Sequence, residues 1–319
     1  MNRTMHDCNE ITPSTDPGRL RARPRGGRFA ARRRGYVLLM ALGTVALAGF
    51  LLAGVARHSL LAALTALDAR EDLQRRWGAV SCRHAFLDQA ETILASLEPD
   101  GPNRGVSNAC VALRVRLALG GQTFDLRLAD ENAKVNLNTV LACRGKEQLL
   151  RVCRDLPAPA GALRAELGGA LTDAGRDGRR ALESWGQVFA LAGKNGDAIA
   201  PAMVAEATLG VTCWGDGRLN IRIATDDRVN AVARLVASAN AARELVNTRR
   251  RHPAWKLADW LRSLTLGPRE RERFARLFTE QTGCHSLWLH VTAGESSWHE
   301  FVIAETSTRG ERRLSTFVW

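Results

Sequence analysis

Residues 32–56 read RRRGYVLLMALGTVALAGFLLAGVA: three arginines and a glycine set directly against 21 uncharged residues. As a helix rising about 1.5 Å per residue, that run reaches about 30 Å, the thickness of a bilayer core. A secretory h-region is shorter, about 7–15 residues, and is followed by a small-residue cleavage site. A buried core helix is the lesser alternative for this length and these flanks. Upstream, residues 19–34 hold eight arginines and no acid. Such a cluster stays on the cytoplasmic side, so the chain after Arg57 is expected across the membrane, anchored by a single span.

The whole chain has 319 residues, with 45 Lys and Arg against 33 Asp and Glu, a net charge of +12. That balance would suggest nucleic acid or anionic lipid if it were evenly spread. It is not: in the first 35 residues nine arginines face only Asp7, Glu10 and Asp16, which is half of the excess. The basicity is mostly a property of the leader. A composition 45% hydrophobic and 24% charged excludes a disordered chain, and 28 Gly with 10 Pro are too few for a low-complexity one. The length suits two compact domains, or one domain with an insertion.

Apolar residues keep helical spacing beyond the span, at Leu60, Leu64 and Leu67 and again at Phe86, Ala90 and Ile93. The pattern predicts one continuous helix over about 36–97, ended by Glu98-Pro99-Asp100-Gly101-Pro102-Asn103. Alternation then replaces it. Leu113, Val115, Leu117 and Leu119 predict a strand, Gly120-Gly121 a hairpin turn, and Phe124, Leu126 and Leu128 the return strand. A charged amphipathic helix is expected over 268–281. SLWLHVTA, HEFVIAETS and RRLSTFVW then predict three short strands, with turns at 294–296 and 309–311. With the first hairpin they compose one antiparallel sheet against the long helix. The fold class is α+β, with a helical region inserted between the two halves of the sheet.

Arg32-Arg33-Arg34-Gly35 against an apolar helix resembles the class III signal of type IV pilins and type II secretion pseudopilins. In those families a prepilin peptidase cuts after the glycine, which here falls between Gly35 and Tyr36. Most members carry Glu at the fifth residue after the cut; this chain has Met40, the departure characteristic of K-type minor pseudopilins of type II secretion. DENAKVNLNT, residues 130–139, resembles that family's internal signature through Asp130, Asn136 and Asn138. Locally, the short amides of Asn136 and Asn138 are expected to cap the next helix and bond the turning backbone. No nucleophile or base sits near Asp130 in sequence, so a catalytic reading is disfavoured.

An internal repeat follows. Val135-Asn136-Leu137 precedes a helical segment with Leu182 and Trp185, and Leu219-Asn220-Ile221 precedes one with Leu257 and Trp260. Each joins an Asn at a strand-to-helix entry to Leu-x-x-Trp and a Gly stop. The two units resemble the helix-hairpin-helix or SAM-like domains that enlarge K-type proteins.

Seven cysteines form no C-x-x-C, which weakens zinc and thioredoxin-like readings. Cys8 lies in the leader. Cys82, Cys110, Cys143, Cys153, Cys213 and Cys284 would face an oxidising compartment, where up to three disulfides or buried thiols are equally open. His290 and His299 face each other on the predicted strands and read as an ordinary surface pair. Asp173, Asp177 and Glu183 follow an order similar to a calcium loop. However, Gly175 takes a ligand position, Glu183 falls one residue short, and Arg176, Arg179 and Arg180 crowd the site. A solvated loop is the preferred reading, with calcium the alternative and no other cofactor expected. Arg249, Arg250 and Arg251 end a predicted helix; three adjacent arginines there read as dipole-matched and solvated. The hairpin before them lacks the glycine of DNA-binding helix-hairpin-helix modules.

The resemblance implies a cytoplasmic leader over 1–35 that is removed, a transmembrane helix over 36–57, and its periplasmic continuation over 58–98. First strands over 99–140, helical units over 141–209 and 210–282, and final strands over 283–319 complete the domain plan. It implies a non-enzymatic subunit of the inner membrane at the tip of the type II secretion pseudopilus, initiating assembly and helping export folded proteins. Its partners would be the other minor pseudopilins, the major pseudopilin, prepilin peptidase and the inner-membrane assembly platform. Secreted proteins are candidate contacts, and no nucleic acid is expected. The rival is a membrane-anchored helix-hairpin-helix protein that binds DNA in competence. An anchored hydrolase has no motif behind it.

Overall fold

A computed structural model describes residues 36–97, 112–156, 180–189, 200–294, 296–306 and 310–318, with the backbone alone for 30–35. The chain divides into two units, residues 1–68 and 69–319. The first is described through helix α1 (Ala30–Leu87), which continues into the second. Its apolar side chains are bare: Leu38, Phe50, Leu60, Leu64 and Leu67 are all exposed. Among the described residues this is the one helix long and apolar enough to cross a membrane. So long an apolar surface is stable only against hydrocarbon or another protein.

The second unit holds the end of α1 and then α2 (Ala90–Ser96). Strands β1 (Ala112–Leu119), β2 (Gln122–Asp130) and β3 (Val135–Asn136) lead into α3 (Leu137–Arg154). Next come α4 (Trp185–Val188), α5 (Pro201–Ala207), β4 (Val211–Thr212) and β5 (Leu219–Asn220). Helices α6 (Asp226–Ala233), α7 (Ala239–Arg251), α8 (Leu257–Ser263) and α9 (Pro268–Leu277) follow. The chain closes with β6 (Phe278–Thr279), β7 (Cys284–Ala293), β8 (Ser296–Thr306) and β9 (Arg312–Val318).

The predicted sheet forms: five antiparallel strands in the order β1-β2-β7-β8-β9. Gly120 and Gly121, at φ 61° and 82°, make the two-residue turn between β1 and β2, where a side chain would strain the backbone. Because strand side chains alternate, the sheet has two different faces. Phe124, Leu126, Leu128, Leu287, Leu289, Val291, Val302 and Ala304 pack against Ala79, Cys82 and Leu87 of α1 and Ala90 and Leu94 of α2. The opposite face gives Trp288, Phe301, Ile303 and Phe317 to a second core shared with Trp185, Trp214 and the inserted helices. Gly78 allows the close approach of α1 to β2, since a Cβ there would lie 2.2 Å from Cζ of Phe124.

The helix predicted over 36–97 breaks after Leu87. Asp88 accepts from His84 at 3.0 Å and from Arg312 of β9. Gln89 leaves the helical region at φ −113°, and restarting at Ala90 keeps Leu87, Ala90 and Leu94 all turned to the sheet. Near the other end, the helix predicted over 268–281 stops at Leu277, because Phe278–Thr279 pairs in parallel with Leu219–Asn220.

That pairing repeats one in the first inserted unit, where Val135–Asn136 pairs in parallel with Val211–Thr212. The local bonds repeat as well. Asn136 Oδ1 accepts from Asn138 N, and Asn220 Oδ1 from Arg222 N. Thr212 Oγ1 accepts from Trp214 N, and Thr279 Oγ1 from Gln281 N. Each inserted helical segment is therefore a loop pinned shut at its base by a two-residue parallel ladder.

The Asp130–Asn138 joint as candidate functional site

The segment at residues 130–138 leaves the sheet, enters the helical region, and is buried almost throughout. Asp130 ends β2; its carboxylate accepts from Asn132 N at 2.7 Å and from the Thr282 hydroxyl at 2.6 Å. Asn132 bridges outward: its amide donates to Asp216 Oδ1 and Arg218 O, and its carbonyl accepts from Gly283 N at 3.1 Å. Glu131 and Lys134 form an ion pair at 2.5 Å with 0% and 2% of their side chains exposed. Ser286 of β7 donates its hydroxyl to the same Glu131 oxygen.

Asn136 caps α3, its Oδ1 accepting from Asn138 N at 2.9 Å and Thr139 N at 3.2 Å, while its amide donates to Trp214 O. Asn138 clamps two chain segments, donating to Leu182 O and Cys213 O and accepting from Leu182 N at 2.8 Å. Thr139 donates to Gly217 O at 2.6 Å. The segment thus ties the sheet to both inserted units through side-chain bonds to buried backbone, each saving a polar group from desolvation without a partner. Its chemistry is that of a joint.

The structure brings Asp130, Asn136 and Asn138 into this one network. Tyr36 and Met40 are exposed on α1, and Gly35 lies within the same helix. Asp173 and Asp177 lie outside the described residues; Glu183 is exposed, and its N–H donates to Gln187 Oε1. Cys82, Cys143, Cys153, Cys213 and Cys284 are free thiols, and Cys110 lies outside the described residues. The expectation that 249–251 form a solvated arginine run is corrected at its first member. Arg249 is buried, pairing with Asp226 at 3.4 Å, and Arg250 pairs with the other oxygen of Asp226 at 2.5 Å. Asp226 opens α6, so the run closes a helix pair as well as matching a dipole.

Beside the joint is a cavity of about 270 Å³, lined by Asp130, Thr282, His285, Arg222, Trp260 and Arg249 among others. Burial raises the Asp130 carboxyl to about 7, against the hydrogen bonds from Thr282 and Asn132 that lower it. Burial, and then the charge of Arg312, lower His285 to about 4. The two groups act oppositely on stability. Asp130 holds its proton more tightly folded than unfolded, so its contribution is lost as pH rises from about 4 to about 7. His285 holds its proton less tightly folded, so its contribution is gained between about pH 4 and 6.5. The sum is expected to be nearly flat across that window. Asp130→Asn should leave a denaturation midpoint that climbs from pH 4 to 6.5, and His285→Gln one that falls from pH 4 to 7. Parallel profiles for parent and both variants would contradict the opposed pair.

Sequence reasoning missed Glu131, Lys134 and Thr282. Glu and Lys three apart look like a solvent pair, and Thr282 stands 152 positions from Asp130. The repeated Asn220, which donates to Thr282 Oγ1, was the available pointer to that corner.

Neither a comparison with protein-family models nor one with curated proteins gives a match. Among solved structures the chain is similar to one in the crystal structure of the GspK-GspI-GspJ complex from the type 2 secretion system of enterotoxigenic Escherichia coli. The identity is 15% and the TM-score 0.41, over 78% of this chain and 99% of that one.

Proposed function

We propose that this chain is a K-type minor pseudopilin of a type II secretion system: a structural subunit of the inner membrane, cut by prepilin peptidase after Gly35 and placed once, at the pseudopilus tip. One observation carries the reading. The apolar run entered from Arg34-Gly35 is not a tether ending in a linker but the first part of a single helix, continuous to Leu87. The last turns of that helix form the core of an antiparallel sheet domain. A helix that is both anchor and core element is the organisation an assembling fibre subunit needs.

The tip position follows from charge. With Met40 at the fifth mature position the helix offers no carboxylate to a neighbour's terminal ammonium, and leaving that ammonium unpaired in a dry environment is costly. Such a subunit adds poorly as a repeat, and so does one carrying two inserted helical units of SAM-like type. Both features are tolerated at the end of the fibre. There the chain would hold other minor pseudopilins, as partners of the kind named beside GspK in that complex, and start assembly from the membrane platform. In this reading it needs no catalytic group and no cofactor, and exported proteins meet it at the tip.

Cross-linking in membranes followed by mild detergent extraction tests the placement. Other minor pseudopilins are expected at about one to one, with secretion lost on deletion of the chain. Regular spacing of the chain along fibres, or secretion unaffected by its deletion, would defeat the tip assignment. DNA binding that survives physiological salt would favour the competence reading instead.

A further inference from the structure

Among the described residues β1 is an outer strand of the sheet, paired on one side only, with β2. It is eight residues long, and its register with β2 runs unbroken from Ala112 opposite Ala129 to Leu119 opposite Gln122. No proline interrupts it and no bulge turns it away, two of the usual ways in which a sheet edge is blunted. Its outer row of backbone N–H and C=O groups is a template for one more strand.

The two faces of β1 differ. Leu113, Val115 and Leu117 stand opposite Leu128, Leu126 and Phe124 and pack against the core beneath α1, yet each is only half-buried. Arg114 and Arg116 take the other face, with side chains 64% and 76% exposed. Arg114 holds Glu206 through Nη2, on an oxygen it shares with Arg127, and Arg116 holds Asp125 through Nε. Ion pairs this exposed are weak, and the remaining N–H donors of each guanidinium are open to a second acceptor.

We propose that the outer edge of β1 receives an extended segment of another protein in which apolar residues alternate with Asp or Glu. In the added strand, residues opposite Leu113, Val115 and Leu117 complete the apolar face, and those opposite Arg114 and Arg116 meet guanidiniums. Opposite charges directly across neighbouring strands are favourable, and like charges are not. The same rule excludes a second copy of β1 as the occupant. In every antiparallel register that pairs most of the strand and keeps apolar opposite apolar, an arginine faces an arginine: Arg114 with Arg116, or either with itself. The edge turns away its own copy and any basic strand while admitting an acidic one.

The test uses the full chain in detergent and a short fluorescein-labelled peptide of alternating Val and Glu, with binding read by anisotropy. The double variant Arg114→Glu/Arg116→Glu should bind this peptide at least about tenfold more weakly than the parent and should gain the matching Val-Lys peptide. A version with proline at alternate positions, which lacks the N–H donors of a strand, should bind neither protein. Amide hydrogen exchange over residues 112–119 should slow in the complex. Without peptide, parent and variant should melt within a few degrees of one another, as exposed substitutions do. Equal binding by parent and variant, a parent that takes the Val-Lys peptide as readily, or unchanged exchange over 112–119 overturns the proposal. So does slowed exchange there on self-association of the chain alone, which would make a second copy the occupant.

Discussion

Lys134→Met is expected to destabilise the folded domain by about 3–5 kcal/mol, because it leaves Glu131 ionised, buried and without its countercharge. Both side chains are at most 2% exposed, so water cannot replace the lost partner. Ser286 would still donate one hydrogen bond to the carboxylate, but a neutral donor does not supply the missing charge. In a unit of this size the change corresponds to a fall in melting temperature on the order of 10 °C. The double variant Glu131→Gln/Lys134→Met removes both charges and should recover much of the loss, since the cost lies in the unpaired ion more than in the missing pair. Tryptophan fluorescence during denaturation reads this out, as Trp185, Trp214 and Trp288 lie in the adjoining core. A loss below about 1 kcal/mol in the single variant, the range of exposed pairs, would show that the pair is hydrated.

A loss of similar size is expected at the helix–sheet contact. Phe124 is 0% exposed and lies over Gly78, so Phe124→Ala opens a cavity between α1 and β2 and should cost about 3–5 kcal/mol. Gly78→Ala acts from the other side. An alanine in an exposed helix interior would gain about 1 kcal/mol, but here its Cβ would overlap the fully buried ring of Phe124. Overpacking of this kind costs about 1–3 kcal/mol, so the net effect should be destabilising. Because each residue fills the space of the other, Gly78→Ala should be less harmful in a Phe124→Leu background than in the parent. Additive losses would mean that Gly78 does not set the helix–sheet distance.

The sheet was legible in the sequence because its code is local. Alternation at 113–119 and 124–128, the Gly120-Gly121 turn and the three terminal strands are each read within a few residues of themselves. The long helix was legible for the same reason. Its break after Leu87 was not: the residue at the break, Asp88, is bonded by Arg312, which stands 224 positions away. The short parallel ladders at Val211–Thr212 and Phe278–Thr279 are two residues long, below any periodic signal. Their partners were betrayed only by the repeated Asn136 and Asn220. Within the joint, Asn136 was readable as the cap of the next helix because that bonding is local chemistry; Asn138, expected to bond locally too, instead bonds Leu182 and Cys213, 44 and 75 positions away, which no local pattern shows. Lys134 was not, since nothing nearby in sequence says that its partner Glu131 will be buried and bonded by Ser286, 155 positions away. The arginine run at 249–251 illustrates the same limit: its dipole match is local, while the burial of Arg249 depends on Asp226 in the preceding helix.

If this chain enters a fibre as proposed, prepilin peptidase must leave Tyr36 as the first residue of α1, and the mature N-terminus reads that out. Intact mass and N-terminal sequencing of the chain, extracted from membranes of cells that hold a working prepilin peptidase, should show residues 1–35 gone and Tyr36 first. The same measurement in cells lacking that peptidase should return the chain with its arginine-rich leader attached. A leader retained in both backgrounds would contradict the account, and so would a cut on the far side of the 36–56 span.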